Sequence, residues 1–141
     1  MRVLAPNARR LVTASRESAG FVRLAFNVAA GKSLALRARV FPSPTGREFL
    51  RTCPHQIDSL TTYGAEVYGP LRMQLPSTSP QPRIPPGGLA YSQQGAYLCI
   101  FFGQLPAWPV DYIAQIDDGW EALQGGTWRD LTVSRDVDEE R

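Results

Sequence analysis

The alternation of apolar and polar positions predicts a chain built mainly from short β-strands. Residues 22–28 alternate between apolar and polar or small side chains, and residues 29–32 have the length of a hairpin loop. The return strand, 33–40, carries Arg37 and Arg39 on one face and its apolar residues on the other. Further strands are predicted at 56–63, 66–68, 97–102, 111–116 and 127–133.

Two short helices interrupt this β pattern. Ser43 can cap a helix that has Pro44 at its first position, and Cys53-Pro54 ends it. A second helical segment with an acidic start is predicted at 117–123. Five prolines between residues 76 and 86 predict a loop. About eight strands favour a small closed eight-stranded β-barrel, because closure removes exposed edges, and a β-sandwich is the alternative.

Composition limits the class of partner. The 141 residues include 15 basic and 13 acidic side chains, which gives a net charge of +2. Basic residues are concentrated only before residue 17, and an acidic tail follows residue 134, so nucleic acid is not expected as the main partner. The chain is therefore predicted to have an N-terminal, poorly ordered arm at 1–20, a barrel at 21–134 and an acidic tail at 135–141.

Hydropathy and cysteine usage predict a cytoplasmic protein that does not insert in membranes. The sequence contains no run of about 18 apolar residues and no apolar segment typical of a secretory signal. Cys53 and Cys99 lie 46 residues apart without CxxC spacing. We therefore expect two reduced thiols, with Cys99 buried inside an apolar strand.

Three stretches together resemble the bacterial and archaeal cyclophilin-like barrel family of uncharacterised proteins. The stretch 43–50 (SPTGREFL) is similar to the family pattern NPTA-x-x-FL, and 62–68 (TYGAEVY) is similar to W/Y-G-x-E-x-Y. The stretch 87–103 (GGLAYSQQGAYLCIFFG) resembles G-D-x-A-Y-x-P-x-G-x-x-x-x-I-F-F/Y-G. The resemblance spans about 21–133 and implies a cyclophilin-like barrel.

Departures from the family pattern limit what can be carried over. Gly88 stands where the family usually has an acidic residue, Gln94 stands in place of a frequent Pro, and the Pro-rich loop is long. True cyclophilins polarise an X–Pro peptide with an Arg in an R-V-x-x-x-F-x-x-Q-G-G-D motif. Residues 61–74 contain no such motif, and their single Arg, Arg72, has different neighbours. Efficient prolyl isomerase activity is therefore not expected.

Glu66 is the candidate catalytic residue. It lies between Tyr63 and Tyr68, and strand alternation places Glu66 and Tyr68 on the same face. If that face lines the barrel mouth, a partly desolvated carboxyl with a raised pKa could act as acid or base. The alternative is an exposed strand carboxylate paired with an Arg.

The remaining candidates are aromatic side chains with polar neighbours. Tyr97, Cys99 and Phe101 share one face of an apolar strand, and that face either packs in the core or lines a cleft with Gln93. Trp108, between Ala107 and Pro109, either covers the barrel mouth and stacks on a ligand or seals the barrel end. The predicted ligand-binding residues are Tyr63, Tyr68, Gln93, Tyr97, Phe101 and Trp108.

No metal or cofactor is predicted. The single histidine, His55, lacks partners at metal-ligand spacing and is expected in a loop after the helix. No phosphate loop, dinucleotide fingerprint or GxSxG elbow occurs.

Three functions follow from these candidates. The first is binding of a small molecule or extended peptide in an aromatic-lined cleft. The second is an isomerase or cyclase that acts on a small apolar metabolite inside the barrel, with Glu66 as acid or base. The third is a structural or oligomeric module, in which another subunit or the N-terminal arm covers the cleft. The protein is expected as a monomer or homodimer.

Overall fold

The computed structural model describes residues 18–28 and 31–136, so residues 1–17 of the predicted arm and 137–141 of the predicted tail lie outside the described residues. The described chain is mainly β, as the sequence predicts. Its elements are β1 (Gly20–Asn27), β2 (Ser33–Val40), α1 (Pro44–Arg51), β3 (His55–Ile57), β4 (Thr61–Tyr63), β5 (Glu66–Pro70), β6 (Pro80–Gln81), β7 (Gly88–Ser92), β8 (Tyr97–Phe101), β9 (Val110–Gln115), a 3₁₀ turn (Trp120–Leu123) and β10 (Asp130–Arg135).

The strands form one open sheet rather than the predicted closed eight-stranded barrel. Neighbouring strands follow the order β3-β10-β1-β2-β9-β7-β8-β5-β4, and β6 pairs with β9 outside this path. The sheet has ten strands, and β3 and β4 are its edges, with no ladder joining them among the described strands. The prediction of a closed barrel is therefore wrong. The segment predicted as one strand at 56–63 is split into these two three-residue edges.

The two edges of the open sheet still lie close together, because they are consecutive in the chain. Only residues 58–60 separate β3 from β4, and four Cα–Cα steps span at most about 14 Å. Gly69 on β5 packs against this segment: an added Cβ would lie 2.4 Å from Ile57 Cγ2 and 2.5 Å from the Ser59 carbonyl oxygen. Direct packing, rather than a hydrogen-bonded ladder, thus fills the seam between β3 and β5.

Helix α1 forms where the sequence predicts it and supports the core. The Ser43 Oγ accepts a hydrogen bond from the Gly46 N–H over 3.0 Å, and Pro44 occupies the first helical position. Phe49 is fully buried, and His55 stacks on its ring at 4.8 Å between centroids. His55 is therefore a buried residue of β3 and not the predicted loop residue, because its Nε2 lies 2.9 Å from the Phe49 carbonyl oxygen and satisfies a helix end.

The curled sheet packs a main core on its inner face and a smaller apolar cluster on its outer face. On β8, Leu98 and Ile100 belong to the main core, whereas Cys99 and Phe101 belong to the outer cluster. Successive side chains of a strand point to opposite faces, which explains this division. The main core also includes residues of β1, β2, β10 and α1, so side chains fill the inside of the curl.

The Pro-rich segment 76–86 runs beside β9 and is fastened there by Asp111. The Asp111 carboxylate accepts hydrogen bonds from Ser77 Oγ at 2.6 Å and from the N–H groups of Thr78 and Ser79 at 3.1 and 2.9 Å. Contrary to the prediction of a loop throughout, two of its residues form β6 and pair with β9. Ile84 then joins the outer cluster.

Candidate functional site

Cross-strand register places the candidate residues in adjacent rows on the outer face. Glu66 of β5 is paired with Tyr63 of β4 on one side and with Phe101 of β8 on the other. In the next row Tyr68 lies opposite Cys99. Side chains of directly paired residues point to the same face with Cβ atoms about 4.5–5.5 Å apart. Glu66 is therefore flanked by an aromatic ring on each side.

The loop 102–109, between β8 and β9, forms the remaining wall. Trp108 Nε1–H donates a hydrogen bond to the Ser92 Oγ over 2.9 Å, which fixes the loop to the end of β7. Trp108 keeps 43% of its surface exposed, Leu105 keeps 61%, and Tyr63 on the opposite side keeps 70%. These are the exposed large hydrophobic side chains of the described chain, and all of them line the same depression.

The depression, called the outer cleft below, has a volume of about 440 Å³. Tyr68 and Tyr97 meet edge to face inside it, with ring centroids 5.4 Å apart. The described residues that line it are Tyr63, Glu66, Tyr68, Ser92, Tyr97, Cys99, Phe101, Gln104, Leu105, Pro106, Ala107, Trp108 and Val110.

The structure brings together six of the seven residues predicted for the site. Gln93 is the exception: it is exposed in the turn between β7 and β8 and does not line the outer cleft. Ser92 and Tyr97 pair across this hairpin, so Gln93 belongs to the connection that leaves the sheet. The structure therefore does not bring Gln93 together with the other six residues. Gln104 and Leu105 line the outer cleft without having been predicted, and no motif marks them in the sequence.

The Glu66 carboxyl is half-buried, and this burial raises its pKa above the ordinary value of 4.5. Two hydrogen bonds oppose the rise by stabilising the carboxylate: one from the Cys99 thiol and one from the Gln104 amide. The Gln104 Nε2 lies 3.4 Å from Glu66 Oε1. With these opposing effects on its pKa, the Glu66 carboxyl can accept hydrogen bonds from a ligand or exchange a proton with it.

Gln104 is held in place by the turn between β4 and β5. Its Oε1 accepts a hydrogen bond from the Ala65 N–H over 2.7 Å, which leaves its Nε2 directed toward Glu66. Gly64 permits this approach: its φ is +62°, and a Cβ there would lie 2.3 Å from the Gln104 Oε1. Gly64 of the TYGAEVY stretch therefore lets Gln104 approach closely enough to form its hydrogen bond with Glu66.

The outer cleft is neither the mouth nor the interior of a barrel. Its floor is the outer face of β5 and β8, while the inner faces of the same strands pack in the main core. Trp108 lines the outer cleft. A metabolite inside the barrel, as the second predicted function requires, would have to displace this packed core. Any chemistry by Glu66 takes place outside it.

Neither cysteine is set up as a nucleophile. Burial raises the pKa of the Cys53 thiol to about 11, and burial together with Glu66 raises the pKa of Cys99 further. Both cysteines are free, as the sequence predicts. Residues 18–28 and 31–136 hold no group of three or more His, Cys, Asp or Glu side chains that could bind a metal ion. None of their helices has the length and apolar character to cross a bilayer.

A second depression beside Phe41 and Asp111, of about 550 Å³, offers less to a ligand. Both Asp111 oxygens already accept hydrogen bonds from residues 77–79. The Tyr112 hydroxyl donates to Gln115 Oε1, and burial raises its pKa to about 12. The Asp111 carboxylate in this depression thus holds the Pro-rich segment, and the Ser43 hydroxyl caps α1.

Fold and comparisons agree on the class of protein. A curled, mainly antiparallel sheet with one helix packed on it is a cyclophilin-like architecture, and the family described as Cyclophilin-like matches residues 23–130. The chain therefore belongs to the cyclophilin-like family. The solution structure of the hypothetical protein AF2241 from Archaeoglobus fulgidus is similar, with a TM-score of 0.64 and 18% identity over 83% of this chain and 95% of that chain. No curated protein matches the sequence.

The structure accounts for one departure from the family pattern. A Cβ at Gly88 would lie 2.4 Å from Ile84 Cγ2, so the Pro-rich segment occupies the space that an acidic side chain would need. The absence of a side chain at Gly88 thus leaves room for the long Pro-rich segment. Arg72, the only Arg in the region where true cyclophilins carry theirs, is exposed and does not line the outer cleft.

Proposed function

We propose that this protein is a binding module that holds a small organic molecule or a segment of extended peptide in the outer cleft. The observation that carries the proposal is the convergence of Tyr63, Leu105 and Trp108 on one depression. Large apolar side chains that remain exposed together mark ligand or partner sites in folded proteins. Elsewhere in the described chain, large apolar side chains are at least partly buried.

The composition of the outer cleft supports the same proposal. Aromatic walls with a few convergent polar groups, here Glu66, Gln104 and Ser92, are typical of small-molecule sites. Its volume of about 440 Å³ suits a compact organic ligand or one or two peptide side chains. The hydrogen bond from Trp108 to Ser92 holds the wall formed by the 102–109 loop in place before a ligand binds.

A thermal-shift screen against metabolites and Pro-containing peptides tests this function. A ligand at a hundred times its Kd stabilises the folded state by about 2.7 kcal/mol, which raises Tm by on the order of 10 °C in a domain of this size. We expect hits whose shift is lost in Trp108→Ala and in Tyr97→Ala. Each variant is compared with its own unliganded Tm, so a change in basal stability does not enter the result.

Gln93→Ala is the matched control, because it removes a polar side chain next to the site in sequence but outside the outer cleft. It should retain the full shift of every hit. Hits that survive Trp108→Ala but disappear in Gln93→Ala would contradict the proposal and favour the β7–β8 turn. A broad library without any hit would favour the interaction-module alternative, for which partner pull-downs and light scattering are the next measurements.

A second candidate function, acid or base catalysis by Glu66, is supported by the burial of this carboxyl among aromatic rings. Proton transfer by a positioned side chain typically contributes about 10²–10⁴-fold to a rate. On this proposal Glu66→Gln lowers turnover of a screened ligand at least about a hundredfold. A loss of less than about threefold would remove Glu66 from the chemistry.

We also propose a cytoplasmic location and a monomeric or homodimeric state. The two free cysteines support the location, and a single compact sheet is compatible with either state. Efficient prolyl isomerase activity is not part of this proposal, because residues 61–74 lack the Arg-containing motif of true cyclophilins.

A further inference from the structure

The outer cleft has an uneven distribution of charge. Glu66 is the acidic residue in its lining, and none of the described lining residues is Lys, Arg or His. A ligand with a carboxylate or phosphate would therefore meet a like charge and no compensating cation. A ligand with a positive charge would meet an opposite one in a partly desolvated setting.

The groups around Glu66 favour its role as an acceptor. The Gln104 Nε2–H donates to the carboxyl over 3.4 Å, and the Ala65 N–H holds the Gln104 amide in the orientation that allows this. Two oxygens offer about four acceptor positions, so the carboxylate retains capacity for a further donor. A ligand that enters from the open side of the outer cleft can supply this further donor.

The aromatic rings add a second attraction for positive charge. Tyr63 and Phe101 flank Glu66 in one cross-strand row, and Tyr68 and Tyr97 meet edge to face in the neighbouring rows. Trp108 lies in the wall formed by the 102–109 loop, and tryptophan is the residue type whose ring attracts cations most strongly. A carboxylate surrounded by aromatic faces is an arrangement that suits an organic ammonium group.

We propose that the outer cleft recognises a protonated amine carried on an apolar body, with the ammonium hydrogen-bonded to Glu66 and the body packed against Tyr97, Phe101 and Trp108. This inference rests on the proposed binding function and adds the chemical class of the ligand. The ammonium N–H donates to the carboxylate, and the apolar part displaces water from the aromatic walls.

Three probes of equal length and different charge test this inference: 3-phenylpropylammonium, 3-phenylpropanol and 3-phenylpropionate. Each is titrated to millimolar concentration, and binding is followed by the ¹H–¹⁵N resonance of the Trp108 indole, assigned by its absence in Trp108→Phe. We expect the ammonium to bind roughly tenfold more tightly than the alcohol, and the carboxylate to bind most weakly.

Glu66→Gln should abolish the preference for the ammonium while retaining binding of the alcohol. The matched control is Glu121→Gln, which makes the same change in net charge at an exposed position away from the outer cleft and should keep the preference. The wild-type protein provides an independent test that needs no variant. Affinity for the ammonium should fall as the pH drops through the pKa of Glu66, and affinity for the alcohol should not.

Glu66 is the one carboxyl among the described lining residues of the outer cleft. The titratable side chains beside it are the Tyr63 phenol on β4, the Cys99 thiol on β8 and the Tyr68 phenol on its own strand. The Gln104 amide on the loop does not titrate.

The outcomes separate this inference from the function on which it rests. Equal binding of the ammonium and the alcohol would overturn the ammonium proposal and leave the outer cleft as a binding site. Tightest binding by the carboxylate, or an ammonium preference that persists in Glu66→Gln, would also overturn it. Failure of all three probes to move the Trp108 indole resonance would count against both proposals.

Discussion

Trp108 and Ser92 are joined by a hydrogen bond of 2.9 Å between the indole Nε1 and the hydroxyl Oγ, so a half-exposed ring of the 102–109 loop is tied to the end of β7. The Ser92 hydroxyl in turn donates to the Gln94 carbonyl oxygen over 3.1 Å. A side chain that lines the outer cleft is thus positioned by a residue that is 1% exposed.

Ser92→Ala should weaken binding in the outer cleft with a moderate effect on stability. The substitution removes two neutral hydrogen bonds, one accepted from Trp108 and one donated to the Gln94 carbonyl oxygen, so the free energy of unfolding should fall by about 1–3 kcal/mol. The Trp108 indole resonance should shift and broaden, and the affinity for 3-phenylpropylammonium should fall several-fold. Because the two groups act through one bond, Ser92→Ala in a Trp108→Phe background should cost less than the sum of the single changes. Additive losses would show that Ser92 does not position Trp108.

Glu66→Gln should stabilise the protein at neutral pH. Burial raises the pKa of Glu66 in the folded state above its ordinary value of 4.5, so the folded state binds this proton more readily than the unfolded state. The stabilisation linked to this proton is present below the unfolded pKa and is lost as pH rises through the folded pKa. The variant, which carries no charge to desolvate, should have the higher Tm at pH 7, and the difference should disappear near pH 4.

Glu48→Gln is the control with the opposite sign. Arg51, with its guanidinium 2.5 Å from the carboxylate, lowers the pKa of Glu48, so the stabilisation linked to Glu48 is present above the unfolded pKa and is lost as pH falls. Glu48→Gln should lower Tm slightly at pH 7 and converge with wild type in acid. Parallel pH profiles of the two variants would contradict the assignment for Glu66.

Asp111→Ala should destabilise the fold by about 3 kcal/mol, because three donors of the Pro-rich segment lose a buried acceptor at once. Asp111→Asn retains one carbonyl oxygen of the same size and should cost less. Urea denaturation followed by fluorescence gives both values. A cost below about 1 kcal/mol for the alanine variant would mean that the segment is held by other contacts, such as the Thr45 Oγ1 hydrogen bond to the Pro76 carbonyl oxygen.

Gly69→Ala should destabilise the protein by about 1–3 kcal/mol through overpacking of the seam between β3 and β5. Its Cβ would meet the Ile57 side chain and the Ser59 carbonyl oxygen. Ile57→Ala opens space on one side, so Gly69→Ala should cost less in that background, although the backbone oxygen remains. A cost that is the same in both backgrounds would place the strain elsewhere.

Local patterns in the sequence predicted the elements well and the closure of the sheet badly. Ser43 and Pro44 predicted the start of α1, because capping depends on residues within one turn. Alternation in β1 and β2 likewise predicted their paired faces. Which strands meet at the edges depends on contacts between distant residues, and nothing within the 56–63 segment indicated that it would supply both edges.

Candidate residues on strands could be predicted from alternation, whereas candidate residues on loops could not. Glu66, Tyr68, Tyr97 and Phe101 occupy one face because their spacing is even and their strands are paired. Gln104 enters through a hydrogen bond to the Ala65 backbone, which no local pattern encodes. Gln93 lies apart from the other candidates because it belongs to a hairpin turn, and strand alternation does not assign a face to turn residues.

Alternation along β8 also separates two kinds of evolutionary constraint. Leu98 and Ile100 face the main core, while Tyr97, Cys99 and Phe101 face the outer cleft. On the proposed function, substitutions at the second set change the walls of the outer cleft and leave the main core intact, although Cys99 and Phe101 also belong to the smaller outer cluster. We therefore expect the odd-numbered positions of this strand to vary with the ligand, while the even-numbered positions preserve the main core. Aligned relatives should show faster change at Tyr97, Cys99 and Phe101 than at Leu98 and Ile100.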